Sequence, residues 1–153
     1  PALALAAAKP DRVSRLVLAD VGAGADEPIK LEAIARRWGD LIARGDIDEL
    51  VCDMLRSELF KVYARRNRRR RNHMAALIRA TPIDGLRFTL AQVLAKRKSL
   101  FRLTGLLKSI QVPTLVAVGQ LDYMCSKAAR LMAQSIPDAT LKIIGDSGHM
   151  APL

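Results

Sequence analysis

The sequence predicts an α/β fold in which parallel strands are interrupted by a long helical block, and three observations carry this. Short aliphatic runs at residues 13–20, 111–119 and 139–144 each end at or just before glycine or aspartate, as buried strands do. The last two runs are separated by one helix-length segment, the connection that parallel pairing with a right-handed crossover requires. Residues 26–110 instead repeat apolar side chains every three or four positions, the period of amphipathic helices.

Composition agrees with a folded domain. Of 153 residues, 50% are hydrophobic and 26% charged, the profile of one soluble globular domain with enough chain for a sizeable core. The longest apolar run, residues 2–8, is far short of the roughly 20 residues a membrane span needs, and no secretory leader precedes a cleavage signal, so no membrane role is expected. A formal net charge of +10 raises nucleic acid, an acidic partner or an anionic surface as classes to test. Cys52 and Cys125 are too few for a disulfide framework, and no CxxC or Cys/His cluster has zinc-ligand spacing along the chain. Reduced thiols and a cytoplasmic location are the expectation. The chain opens at Pro1 without an initiator Met and stops at Leu153 just after a loop-like stretch, so both ends are expected to be cuts.

In chain order, the alanine- and leucine-rich residues 2–9 read as the back half of a buried helix that turns at Pro10-Asp11. Residues 13–20 (VSRLVLAD) read as a strand buried on both faces and closed by Val21-Gly22-Ala23-Gly24. Leu31, Ile34, Ala35, Trp38, Leu41 and Ile42 give a first amphipathic helix, ended by Gly45. Asp46 is the expected cap of a second, whose apolar set is Ile47, Leu50, Val51, Met54 and Leu55, with Asp48 and Glu49 in its positive-end turn. Thr81-Pro82-Ile83-Asp84 combines a capping hydroxyl, an early proline and an acid, and predicts a helix through Leu94. Proline at the start of the 111–119 run and Gly119 at its end stand where a strand tolerates them. Ala128, Leu131, Met132 and Ile136 predict a helix stopped by Pro137.

In an open parallel sheet, functional side chains collect where loops leave the carboxyl ends of the strands. Asp122 follows the Gly119 strand and His149 follows the Ile144 strand. A carboxylate that holds one imidazole nitrogen leaves the other free to act as a general base toward a nucleophile. Asp20 also ends a strand and is a rival for the acid. Asp146 lies too near His149 in a turning loop to fill that role.

These segments resemble the α/β-hydrolase family: PDRVSRLVLAD (10–20), IQVPTLVAVGQLD (110–122) and IPDATLKIIGDSGHMAPL (136–153), in that order around a helical insertion. The resemblance implies the C-terminal part of an α/β-hydrolase fold, with core elements in residues 1–25, a helical lid in 26–110 and core strands with the acid and histidine loops in 111–153. It implies that Asp122, in Gly119-Gln120-Leu121-Asp122, is the catalytic acid and that His149, in Gly148-His149, is the catalytic histidine. The family's G-x-S-x-G elbow, which exposes the nucleophile beside an oxyanion hole, is absent from this chain. The resemblance puts the nucleophile about five residues upstream of Pro1. The implied activity is hydrolysis of a small-molecule ester, lactone or similar bond, with no metal or organic cofactor. An aspartate nucleophile, as in hydrolases resembling epoxide hydrolases and dehalogenases, is the alternative within the fold, and a non-enzymatic nucleic-acid-binding module built on the basic cluster at residues 65–71 is the alternative from a different class. Lacking the family's other strands, the chain alone is expected to be inactive and prone to aggregate.

The remaining motifs have plainer readings. Gly145-Asp146-Ser147-Gly148 echoes the active-serine stretch of trypsin-like proteases, but that all-β, disulfide-bonded fold does not match, and Ser147 is not the expected nucleophile. Arg65, Arg66, Arg68, Arg69, Arg70 and Arg71 form a basic cluster whose contacts would be to phosphates without base readout, since aromatic residues are only 4% of the chain. No specific nucleic-acid partner is expected from it. His73 reads as a surface histidine and Cys125 as a bystander thiol. Trp38, Met54, Phe60, Tyr63, Phe88 and Phe101 read as helix-packing core.

Overall fold

The computed structural model describes residues 2–22, 28–94 and 98–152. In chain order its elements are α1 (Ala2–Ala8), a 3₁₀ turn (Pro10–Arg12), β1 (Leu16–Ala19), α2 (Pro28–Ala43), α3 (Ile47–Arg56), α4 (Lys61–Arg65), α5 (Arg68–Ala80) and α6 (Ile83–Phe88). A wider π-type segment (Thr89–Leu94), a 3₁₀ turn (Leu100–Arg102), α7 (Thr104–Lys108), β2 (Thr114–Gly119), α8 (Ser126–Ser135) and β3 (Ala139–Ile144) follow. They form two compact units, residues 1–26 with 98–153 and residues 27–97. Residues 98–110 cluster with the sheet, so the end of helical periodicity at 110 and the change of unit do not coincide.

The first unit is a three-stranded sheet in the order β1-β2-β3, parallel throughout. Leu16 pairs with Thr114 and Thr114 with Ala139; Leu18 pairs with Val116 and Val116 with Leu141. These positions share one face, and α8 packs there on β2 and β3 through its buried Ala128, Ala129 and Met132. Both central branched side chains, Val116 and Val118, are buried. Ala6 of α1 and Leu107 of α7 are fully enclosed where those helices meet.

β1 corrects one expectation. It is shorter than residues 13–20, and it alternates instead of being buried on both faces: Leu16 and Leu18 are covered while Val17 is 63% exposed. Its register partner Leu115 on β2 is 39% exposed, so the opposite face of the sheet carries adjacent uncovered aliphatics. Ala23 and Gly24 of the turn predicted after β1, and the start of the helical block at Asp26, lie outside the described residues.

The second unit is helical in all its described elements, as the period predicts. Leu31, Ala35, Trp38, Leu41 and Ile42 line the buried side of α2, and Leu50, Val51, Met54 and Leu55 that of α3. Between them Gly45 takes φ 75°, a left-handed turn that a side chain would strain, and Gly45 and Asp46 close the end of α2 through Ile42 O and Leu41 O. Trp38 Nε1 donates to Asp53 Oδ2 at 2.9 Å and its ring stacks on Phe60 at 6.4 Å between centroids. Asp53 also receives Arg37 at 2.8 Å, and that hydrogen bond, outweighing burial, holds its carboxyl below the ordinary range.

Two caps differ from expectation. Asp46 occupies the N-cap of α3 but its carboxylate accepts from Arg44 Nε at 3.1 Å. Thr81 donates its hydroxyl back to Leu77 O, closing α5 and leaving α6 uncapped by it. Asn67, which the sequence reading passed over, caps α5 by accepting from Arg70 N at 2.9 Å. The predicted helix through Leu94 widens at Thr89, whose hydroxyl donates to Gly85 O at 2.8 Å, a back-bond of the kind that loosens a helical ladder. Trp38, Met54 and Tyr63 are core as expected, whereas Phe88 and Phe101 are exposed. Among the described residues, no helix is long and apolar enough to cross a membrane.

Candidate active site

The site lies past the carboxyl ends of β2 and β3. After Gly119 the chain reverses, Asp122 N donating to Gly119 O and Ser126 N to Asp122 O, so the Asp122 side chain is set at the entrance to α8. There it is only 1% exposed. After β3, Gly145 and Asp146 turn the chain back, Asp146 adopting φ 51°. Three bonds stitch the two loops together: Gln120 N to Ile144 O, Leu121 N to Ser147 O, and Asp146 N to Gln120 Oε1.

This stitching delivers His149 to Asp122. Nδ1 of the ring stands 2.9 Å from Asp122 Oδ2, while Asp122 Oδ1 accepts from Cys125 N at 3.2 Å. The imidazole is 20% exposed, so one side of it faces the carboxylate and part remains reachable from outside. Burial works to raise the Asp122 carboxyl, but the hydrogen bond and charge of His149, with the Cys125 contacts, outweigh it and hold the carboxyl below its ordinary value. It therefore stays ionised wherever an imidazole changes charge.

The loops approach so closely that Gly119 has no room for a side chain: a Cβ there would collide with the backbone of Ser147 and Gly148. Gly119→Ala is expected to push the histidine loop outward, lowering stability by about 1–3 kcal/mol. Urea denaturation and the loss of the His149 ring-proton resonance shared with Asp122 would check it; an unshifted midpoint would contradict the close packing.

Asp20, the rival acid, is brought to the same place but differently engaged. It is 8% exposed with φ 48°, and its Oδ1 accepts from Gly119 N while Oδ2 accepts from Ala151 N, both at 3.0 Å. Its two oxygens therefore staple β1 to the end of β2 and to the residues just after His149. The oxygen within hydrogen-bond distance of the imidazole is Asp122's. Cys125, fully buried, donates its thiol to Asp20 O at 3.2 Å and lies 3.4 Å from His149 Nδ1, so it belongs to this cluster and is not a bystander in space. Its offset of three from Asp122, across a turn, was the one signal for it.

Burial raises the Asp20 carboxyl above 3.8, partly opposed by its two N–H partners. The folded state thus holds this proton more tightly than the unfolded chain, so Asp20 makes stability fall as pH rises from 3.8 through the raised value. Asp122 has the opposite sign: its contribution is complete above 3.8 and is lost as pH falls through its lowered value. Asp20→Asn turns one amide N–H toward a backbone N–H; about 2 kcal/mol of stability is expected to go at neutral pH. Urea midpoints across the acid range should lose their falling limb in this variant, and exchange of the Gly119 and Ala151 amides should quicken.

Elsewhere, Ser147 contributes to the loop through its carbonyl, which accepts from Leu121 N. His73 is exposed, as expected, with Nδ1 3.0 Å from Tyr63 OH. Of the basic cluster, Arg70 lies 5.0 Å over the Tyr63 ring, and Arg65, Arg66, Arg68, Arg69 and Arg71 are exposed along α4, its end and the first turn of α5.

No family model matches the sequence, and no curated protein does. Solved structures do. MenH from S. aureus superposes with a TM-score of 0.80 at 20% identity, over 97% of this chain and 56% of its own. A thermophilic esterase from Thermogutta terrifontis gives 0.78 at 27% identity, over 99% and 54%. MGS-M2, an alpha/beta hydrolase enzyme from a deep-sea metagenome library of the Medee basin, gives 0.76 at 20% identity, over 98% and 54%. The chain thus spans just over half the length of the structures it matches. Agreement over nearly all of this chain, on a parallel sheet that sets an acid and a histidine side by side at its strand ends, shows that the chain has the α/β-hydrolase fold over the part of those structures it spans.

Proposed function

We propose that the chain carries the acid and the base of a hydrolase acting on a small-molecule ester, lactone or similar bond by a Ser-His-Asp mechanism, with the nucleophile supplied by residues outside it. The observation that carries this reading is the 2.9 Å contact between Asp122 Oδ2 and His149 Nδ1, with the carboxylate almost wholly buried. An ionised, enclosed carboxylate holds the ring proton on Nδ1, so Nε2 keeps its lone pair. Nε2 then takes the proton of a serine hydroxyl as that oxygen attacks the carbonyl, and returns it to the leaving group. Asp122 stabilises the imidazolium in between without itself taking the proton. The likeness to an esterase at 27% identity supports an ester-like substrate.

The same pair would serve an enzyme with an aspartate nucleophile, His149 then activating water against a covalent ester. Labelling of the full-length protein with a fluorophosphonate separates the two. The expected result is one modified serine, in a glycine-flanked turn shortly upstream of Pro1, and no modification in His149→Ala. Absence of any such turn, or heavy oxygen from labelled water entering an aspartate in a single turnover, would overturn the serine mechanism.

A further inference from the structure

Asp122, Cys125 and His149 place a carboxylate oxygen, a thiol sulfur and an imidazole nitrogen within 4.8 Å of one another. Nδ1 is the common neighbour, 2.9 Å from the oxygen and 3.4 Å from the sulfur. Cys125 and Asp122 are enclosed, and the ring keeps a partial opening to the outside. Proton transfer by the acid and histidine has no use for the sulfur.

We propose that these three side chains form a binding site for a thiophilic divalent cation, zinc foremost, whose occupation blocks the base; the blocking rests on the function proposed above, while the binding does not. A tetrahedral zinc ion with sulfur at about 2.3 Å and nitrogen at about 2.0 Å holds those atoms about 3.5 Å apart, close to the 3.4 Å found here. The nitrogen and the carboxylate oxygen need to separate by only about 0.5 Å to reach ligand spacing. Thiolate and carboxylate together cancel the charge of the ion, so the enclosed site becomes neutral. One thiolate and one imidazole beside a single carboxylate select zinc over magnesium or calcium, which favour all-oxygen shells.

The protons balance as follows from a neutral ring. The S–H bond breaks, a sulfur–zinc bond forms and that proton leaves to solvent. The ring proton leaves Nδ1, which becomes a ligand, and Nε2 takes one from solvent. One proton is released per ion and nothing is oxidised or reduced. With a proton on Nε2 and metal on Nδ1, the ring has no lone pair for a nucleophile's hydroxyl.

The test is titration of the full-length, metal-free protein with cobalt(II), which occupies zinc sites and reports thiolate ligation by a near-ultraviolet charge-transfer absorption. The expected result is that absorption at one equivalent, displaced by zinc and not by magnesium, with about one proton released per ion. Cys125→Ser should abolish the absorption and weaken zinc binding by at least on the order of a hundredfold. Cys125→Ala should do the same with an unchanged far-ultraviolet spectrum, which separates loss of a ligand from loss of fold. Cys52→Ser should keep the absorption. An absorption that survives both Cys125 variants, one that Cys52→Ser removes, or zinc binding with no thiolate signature would overturn the site. In an active enzyme, turnover untouched by bound zinc would overturn the blocking. A thiolate signature in a protein without hydrolytic activity would support the metal site and count against the hydrolase reading alone.

Discussion

His149→Ala in the full-length protein is expected to lower kcat by at least about 10⁴-fold while KM stays within a few-fold, because the missing group acts on the proton in flight and not on the bound substrate. Among the described residues, none of the groups around the ring is placed to act in its stead. Both Asp20 oxygens are held by backbone N–H groups, Asp122 is enclosed as an anion, and the Cys125 thiol is directed at Asp20 O. Residual turnover should rise with pH, as hydroxide replaces the lost base, and added imidazole should restore part of it. A second readout concerns stability. His149, with the Cys125 contacts, holds the Asp122 carboxyl low against its own burial, so without the ring the carboxyl moves up. The stability that the ionised carboxylate contributes shrinks accordingly, and about 1–3 kcal/mol is lost at neutral pH. A variant that keeps turnover within tenfold, or whose stability follows the parent's pH profile, would remove His149 from the base role.

The parallel sheet was legible because it rests on local signals: glycine at a strand end, proline at a strand start and a helix-length crossover leave one economical topology. The face of β1 was not. Whether Val17 is covered depends on what packs across the sheet, which no pattern within residues 13–20 encodes, and the aliphatic run reads alike for one buried face or two. Caps failed for a related reason. Asp46 and Thr81 have the right chemistry at helix boundaries, yet each found a nearer partner, Arg44 for the first and the Leu77 carbonyl for the second.

The site divides in the same way. Asp122 and His149 could be named because each stands just beyond its own strand. The roles of Asp20 and Cys125 come from contacts across 99 to 131 residues of chain, between Asp20 and Gly119, Cys125 and Ala151. Gly119 has the appearance of a strand terminator in sequence, and only the approach of the Ser147-Gly148 backbone reveals that the absence of a side chain there is what lets the two loops meet. In the single alternative that sequence left open for the acid, geometry favours Asp122, whose Oδ2 reaches the ring, over Asp20, whose oxygens are both taken by amides.

Asp122→Asn is expected to cost nearly as much as removing the histidine, for a reason set by one backbone bond. Oδ1 accepts from Cys125 N at 3.2 Å, so an asparagine keeps its carbonyl oxygen there and must put its amide nitrogen where Oδ2 now faces the ring. That nitrogen donates toward Nδ1, which can answer only as an acceptor, and the ring proton is driven to Nε2. The imidazole is then in the tautomer that cannot accept from a nucleophile, although no atom has moved far. A loss on the order of 10⁴-fold in kcat follows, about 5 kcal/mol of transition-state stabilisation, with the structure and KM little changed. Nitrogen chemical shifts of the His149 ring would show the proton on Nε2 in the variant and on Nδ1 in the parent. Asp20→Asn should leave that proton on Nδ1, since neither Asp20 oxygen serves the ring. Reversal of these two results, with the tautomer and the rate following Asp20, would transfer the acid to the end of β1.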